Sequence, residues 1–393
     1  MTLFQTIFDI LVYVFFAWFM SNQAKKSFHY YPGSVKLDKY LWWFIGFYTI
    51  ISAIRWRVGQ DAMGYANTFI IGKIQHPEEW SMVLLVKFIH GLGLHFTIGI
   101  GVLAFLQIFF ITKALSPYKY LLVFLPIVMF GSRYYVMGMN AMRQMIAAYV
   151  FLFLSKYIID KKPVYYFVGI ILAMSMHHSA LWLIPIYFLP LRWIKIADRR
   201  ILLFAIFIVC FVVGLTPQFR FVVDYGYEIF SFMDYEKDAE YMIQAVLGEV
   251  EEGALSFGPM QLSYFFIALI NIWFGPILKQ KFEQKIPYFN MWYFFSYIWA
   301  CMYFLVCNVS HMYYRPFMYF MPFEMIILSL VLYELNQHYK ANKLVIYLVT
   351  FIIWVSISWD IIKAESHPRW ENVTYKVFFM HMDEVRTVSE RFE

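Results

Sequence analysis

The stretch VYYFVGIILAMSMHHSALWLIPIYFLPL, residues 164–191, decides how this chain is threaded. It is a nearly unbroken apolar run, interrupted only by Ser175-Met176-His177-His178-Ser179. Lys161 and Lys162 precede it; Arg192, Lys195, Arg199 and Arg200 follow it. One crossing would put these basic clusters on opposite sides of a membrane, whereas cytoplasmic loops normally collect Lys and Arg. Two crossings return both clusters to one side. Each limb then has only about 13 residues, roughly 20 Å of helix, against a hydrocarbon core of ~30 Å. The stretch therefore predicts a hairpin of short or re-entrant helices whose turn lies at or below the outer surface. A broken helix at that depth is tolerated only beside protein or a water-filled space, so an outer cavity with histidines at its wall is expected.

The rest of the chain agrees with a membrane setting. Of 393 residues, 62% are hydrophobic and 15% charged, with mean hydropathy +0.59, which excludes an ordinary soluble domain. Apolar runs fall at residues 3–20, 40–54, 95–112, 120–137, 144–160, 164–176, 179–191, 201–217, 259–278, 288–307, 316–334 and 344–360. They predict an all-α polytopic membrane protein of about 12 transmembrane or re-entrant helices with an outward-facing cavity. The loops 21–39, 113–119, 156–162, 192–200, 279–285 and 335–343 hold 15 of 20 lysines but only 3 of 12 arginines. These loops are read as cytoplasmic, with both termini outside. Residues 1–360 are expected to form a single transmembrane domain with long outer segments at 55–94 and 218–258, followed by an extracytoplasmic tail, 361–393. Amphipathic stretches at Tyr65–Ile74 and Trp80–Leu92 predict surface helices, and the acidic 218–258 run reads as a solvated face or a lid. The first run lacks a basic leader and carries Asp9, so it reads as a span rather than a signal. Cys210, Cys301 and Cys307 lie in apolar runs without ligand spacing and read as packing residues.

Against the positive-inside bias, Arg55, Arg57, Arg133, Arg143 and Arg315 fall at outer span ends. Arginines held there need an anionic partner, and the guanidinium fork suits phosphate or pyrophosphate. Four clusters stand out. Arg55-Trp56-Arg57-Val58-Gly59-Gln60-Asp61 leads to Tyr65 and reads as phosphate or sugar recognition, or as a helix-end pair of Asp61 with an arginine. Asn140-Ala141-Met142-Arg143-Gln144 sets Arg143 near a helix N-terminus, unfavourable for the dipole unless an anion sits there; Asn140 is the expected N-cap. His177, His178 and Ser179 mark the hairpin turn, where ionisable groups are costly and functional by default; hydrogen-bonded structural histidines are the competing reading. His311-Met312-Tyr313-Tyr314-Arg315-Pro316 opens a span from outside, with aromatics that suit either an interface belt or sugar stacking. No P-loop, dinucleotide fingerprint or HExxH is present.

Arg55-x3-Gly59-x-Asp61-x3-Tyr65, Asn140-x2-Arg143-Gln144, His177-x-Ser179-Ala180-Leu181 with Pro185 and Tyr187, and Tyr314-Arg315 with Phe320 occur in this order. Together they resemble the EpsG-like family of bacterial polysaccharide polymerases, within the Wzy-type group, over residues 40–335. The chain departs from the pattern at Gln60 and Ala62, where threonine and tyrosine are common, which bears on sugar specificity.

The resemblance implies a GT-C-like, inverting, metal-independent glycosyltransferase of the bacterial cytoplasmic (inner) membrane, its site facing the periplasm or outside. It would join undecaprenyl-pyrophosphate-linked oligosaccharide repeats into O-antigen, capsule or exopolysaccharide. No cofactor and no nucleic acid is implied; membrane lipid, a chain-length regulator and a flippase are the expected partners. Arg55, Arg143 and Arg315, with Arg57 and Arg133 as lesser candidates, would hold the pyrophosphate. His177 would be general base or phosphate ligand; Asp61 would be an alternative base or would orient Arg55. Tyr65, Gln144, Tyr314 and His178 would meet sugar. A lipid-linked oligosaccharide flippase and an O-antigen ligase are the alternatives.

Overall fold

A computed structural model describes residues 3–74, 76–216, 258–306, 311–364 and 373–381. Most of the acidic segment (217–257), Cys307 and the rest of the tail (365–372 and 382–393) lie outside the described residues. Among the described residues, seven helical segments are long and apolar enough to cross a membrane: Phe4–Tyr30, Phe96–Gly131, Met142–Ile159, Pro259–Phe282, Phe289–Val306, Arg315–Gln337 and Tyr339–Lys363. The chain is an all-α polytopic membrane protein. It divides into two compact units, residues 1–189 with 328–393, and residues 190–327.

In the first unit, helix α1 (Leu3–Tyr30) buries Tyr13, Phe16, Ala17, Met20 and Ala24, and exposes Phe4, Phe8, Leu11, Phe15 and Trp18. An apolar outward stripe of this kind suits lipid contact. Helix α2 (Lys39–Ala53) starts at Asp38, whose carboxylate accepts from the Tyr40 and Leu41 N–H groups at 3.0 and 3.3 Å. Asp38 also accepts from Ser27 at 2.6 Å and from Lys119 at 2.7 Å; Lys119 donates in turn to the Tyr31 carbonyl at 3.1 Å. Burial raises the Asp38 pKa, but these donors outweigh it and hold the carboxyl below its ordinary range. One end of α1, α2 and the start of α6 (Lys119–Gly131) is thereby locked.

The two amphipathic stretches form helices, α3 (Ala62–Ile71) and α4 (Trp80–Gly91). Gly72, at φ 75°, ends α3 in the left-handed conformation that glycine adopts most cheaply. Helix α5 (Phe96–Leu115) packs on α2 and on α8 (Met142–Ile159). The expected span 120–137 is broken. Helix α6 stops at Gly131, Arg133 turns left-handed (φ 68°), and a short α7 (Tyr134–Asn140) follows. Asn140 is not the N-cap of the next helix: Ala141 holds that position, while Asn140 ends α7 and its Oδ1 accepts from the Asp61 N–H at 2.9 Å. The amide side chain serves a tertiary contact in place of the local one.

The hairpin has the expected two limbs, but only the first is an α-helix. Helix α9 (Pro163–Met176) begins with proline in its first turn, and His177 is extended. The return limb, His178–Phe188, is a 3-10 helix with Pro185 inside. An interior proline lacks the N–H that an α-helix needs and crowds the preceding turn. At 1.5 and 2.0 Å rise per residue each limb spans about 21–22 Å. Tyr166 ties the limbs by donating to the Leu183 carbonyl at 2.5 Å.

Helix α15 (Tyr339–Lys363) packs on α6 and α1. Beyond it, a strand β2 (Lys376–Val377) pairs antiparallel with β1 (Arg55–Trp56). Tyr13 donates to the Val373 carbonyl and Tyr375 to the Ile51 carbonyl, both at 2.6 Å, and the Phe378 N–H donates to Ile54 at 2.9 Å.

The second unit contains α10 (Arg200–Leu215), α11 (Pro259–Phe282), α12 (Phe289–Val306), the four-residue α13 (His311–Tyr314), a 3-10 turn (Arg315–Phe320) and the start of α14 (Met321–Gln337). Phe207, Phe211, Phe265 and Phe304 form one aromatic cluster, and Tyr297 donates to the Leu203 carbonyl at 2.8 Å.

Candidate functional site

The site grows from the loop after α2. Arg55 is 2% exposed, and its donors are met by the protein: Nε by the Val58 carbonyl (3.0 Å), Nη1 by Ser52 (2.7 Å), Nη2 by Met139 (3.2 Å) and Met142 Sδ (3.3 Å). The geometry departs from the phosphate ligand expected here. Arg55 instead clamps its own loop to the break between α7 and α8. Gly59 (φ 91°) completes the clamp, because a Cβ there would lie 3.1 Å from the Met139 carbonyl group. Asn140 closes it through the Asp61 N–H. Three neighbouring contacts thus fix where α8 begins, and with it Arg143, the second residue of that helix.

Arg143 has the anionic neighbour that its place at a helix start demands, and the neighbour is internal. Glu79, 1% exposed, precedes α4 but makes no side-chain cap there. Its Oε2 pairs with Arg143 Nη1. Its Oε1 faces His177 Nδ1 at 2.9 Å and accepts from the His178 N–H at 3.3 Å. Burial acts to raise the Glu79 pKa; the His177 hydrogen bond and the Arg143 charge outweigh it and hold the carboxyl below its ordinary value. A carboxylate offers no hydrogen, so Nδ1 of His177 carries the proton toward it, and Nε2 becomes the acceptor nitrogen of the neutral ring. Ser81 and Ser175, 2.6 Å apart, tether the two segments that bring Glu79 to His177. Side-chain exposures of 23% for Arg143 and 17% for His177 leave both reachable.

Glu79 was not legible as a site residue. It stands in His76-Pro77-Glu78-Glu79-Trp80 beside a second glutamate that pairs with His76 at 3.1 Å. Its one local signal, an acid just before an amphipathic run, reads as a helix start.

The other expected residues have surroundings of their own. Tyr65 on α3 is buried, and its hydroxyl accepts from the Arg143 N–H at 3.4 Å. Gln144, 4% exposed, follows on α8. Asp61 and Arg57 are exposed in the clamp loop, with the Arg57 guanidinium 5.8 Å from the Trp56 ring centre. Arg133 pairs with Asp360, a buried acid on α15. His178 is half-buried and meets Glu79 through its backbone. Tyr314 and Arg315 belong to the second unit. There Tyr314 joins Trp299 and Tyr303 in an aromatic group beside Glu324, which accepts from Trp299 Nε1 at 3.0 Å.

His177 and His178 do not line the cavity of 890 Å3 found in the first unit. That cavity lies between α1 and the tail, with Asp9, Lys376 and His381 among its walls. Among the described residues, no group of three or more His, Cys, Asp or Glu side chains could hold a metal ion.

Fold and site together define a polytopic membrane protein with a buried acid joining an arginine at a helix start to a histidine at a hairpin turn. The model of the EpsG family matches residues 39–368, and the chain belongs to this family. No curated protein and no solved structure matches it.

Proposed function

We propose that this protein is a polysaccharide polymerase: an inverting, metal-independent glycosyltransferase of GT-C-like architecture in the bacterial cytoplasmic membrane. It transfers a growing chain from undecaprenyl pyrophosphate to the next undecaprenyl-pyrophosphate-linked repeat at the outer leaflet. The family supports polymerisation of polysaccharide. The observation that supports the site is Glu79, which brings Arg143 and His177 to one carboxylate; in this reading Arg143 binds phosphate and His177 accepts the proton.

In this reading the acceptor hydroxyl oxygen attacks the anomeric carbon of the donor sugar. Its proton passes to His177 Nε2 as the bond from that carbon to the pyrophosphate oxygen breaks. Arg143 neutralises the charge gathering on the leaving undecaprenyl pyrophosphate, where a preorganised cation is most effective. Glu79 holds the imidazole by Nδ1 and stabilises the imidazolium until the proton leaves to water. Arg55 is assigned to positioning Arg143. Arg57, Arg133 and Arg315 remain candidate pyrophosphate ligands; Tyr65, Gln144, Tyr314 and His178 candidate sugar contacts; Asp61 the alternative base. A flippase and a chain-length regulator are the proposed protein partners.

The test is purified protein in nanodiscs with lipid-linked repeat units, without nucleotide. A ladder of one-repeat spacing, lost in Arg143→Ala and His177→Ala, is expected. A ladder that survives both changes overturns the site. Scrambling of labelled repeats without a ladder replaces the polymerase with the flippase.

A further inference from the structure

The Glu79 cluster holds more than a site needs for static binding. One carboxylate, 1% exposed, is divided between a guanidinium through Oε2 and an imidazole through Oε1. While Arg143 holds Oε2, much of the negative charge of Glu79 is already neutralised, and His177 feels only the remainder. An incoming pyrophosphate competes for the same guanidinium with more charge and more acceptor oxygens.

Resting on the polymerase reading of Arg143 and His177, we infer that pyrophosphate binding draws Arg143 away from Glu79, leaves that carboxylate to His177, and so raises the proton affinity of His177. Glu79 is a positioning residue that couples the two halves of the reaction. The base strengthens when a donor is bound and is weak when the site is empty. A hydroxyl entering an empty site, water included, therefore meets a poorer base. The coupling is reciprocal, so protonation of His177 tightens pyrophosphate binding by the same factor.

Among the described residues, Glu79 and Arg143 are the dominant charged groups of this cluster. The hairpin packs on α8 and α4. From α8 the charged group at this end is Arg143, with Tyr149, Lys156 and Tyr157 further along the helix. From the α4 side it is Glu79, with Lys87 and His90 two or more turns on. Tyr65 touches Arg143, His76 pairs with Glu78, and His178 and Tyr187 lie on the return limb itself.

The experiment is a histidine NMR titration of full-length protein in nanodiscs, with and without saturating inorganic pyrophosphate. The His177 resonance is assigned by its loss in His177→Gln. Pyrophosphate is expected to raise the His177 pKa by about one unit, a tenfold gain in proton affinity. In Glu79→Gln, pyrophosphate still binds but the shift falls by more than half, leaving only the direct field of the ligand. Glu79→Asp restores most of it, which a merely structural role would not require. Arg143-dependent binding with an unmoved His177, or an undiminished shift in Glu79→Gln, overturns the coupling alone. Pyrophosphate binding that is absent, or unchanged in Arg143→Ala, overturns the assignment of Arg143 and the coupling with it.

Discussion

At the scale of single residues, the cost of the site lies in its buried acid. Glu79→Ala leaves Arg143 and His177 without their shared anion in a poorly solvated place. Removing one partner of such a buried pair costs about 3–5 kcal/mol. The expected result is a clear drop in thermal stability measured by tryptophan fluorescence, together with loss of polymer. The pH dependence has a definite sign. The Glu79 pKa is held below its ordinary value of 4.5, so its contribution to stability is complete above that value and is lost as pH falls through the depressed one. Melting temperatures of wild type and Glu79→Gln should differ near neutrality and converge in acid; a constant difference from pH 7 to pH 3 would count against the shared carboxylate. Glycines supply a second contrast. Gly59 and Gly33 both have positive φ, 91° and 74°, but only Gly59 lies against another segment. Gly33→Ala should cost about 1 kcal/mol of backbone strain. Gly59→Ala adds the crowding of Met139 and should also lower the rate of polymer formation.

At the scale of elements, the decisive feature is the helix break at Ala141 and the loop clamped to it. Asn140→Ala removes the acceptor for the exposed Asp61 N–H, a loss of about 1 kcal/mol. Its larger expected effect is kinetic: polymerisation slows because the start of α8 is less firmly fixed, while membrane yield is unchanged. Wild-type kinetics in this variant would separate Asn140 from the clamp. The same scale shows where local signals stop. Helices α3 and α4 were readable from amphipathic spacing, and the two limbs of the hairpin from charges at its ends. The 3-10 winding of the return limb depends on Pro185 together with packing, and the length of the run did not reveal it. Asn140 illustrates the limit well: Asn before a helix reads as a cap, yet its side chain answers to a residue 79 positions away.

At the scale of the whole molecule, sidedness is testable. Contacts join Ser27, Tyr31, Asp38 and Lys119 at one locus, and the Arg55 loop, Glu79, Arg143 and His177 through a chain of contacts at another. In a background freed of its native cysteines, Gln60→Cys should react with a membrane-impermeant maleimide in intact cells. Lys36→Cys should react only after permeabilisation. The reverse pattern would invert the orientation and place the proposed chemistry on the cytoplasmic face.

The sequence by itself determined the all-α membrane class, most helix positions and the two-limbed hairpin, and it singled out Arg143 and His177 as candidates. Hydropathy, charge bias and helix-end electrostatics act locally, so they are written along the chain. Only the tertiary structure decided that Glu79 is the anion beside Arg143, that Arg55 is occupied with backbone carbonyls, and that the break after α7 is held by Gly59 and Asn140. Those roles depend on which distant groups share a poorly solvated space. There an unmet charge is costly, and the partner that meets it is chosen by proximity in the fold rather than by spacing in the chain.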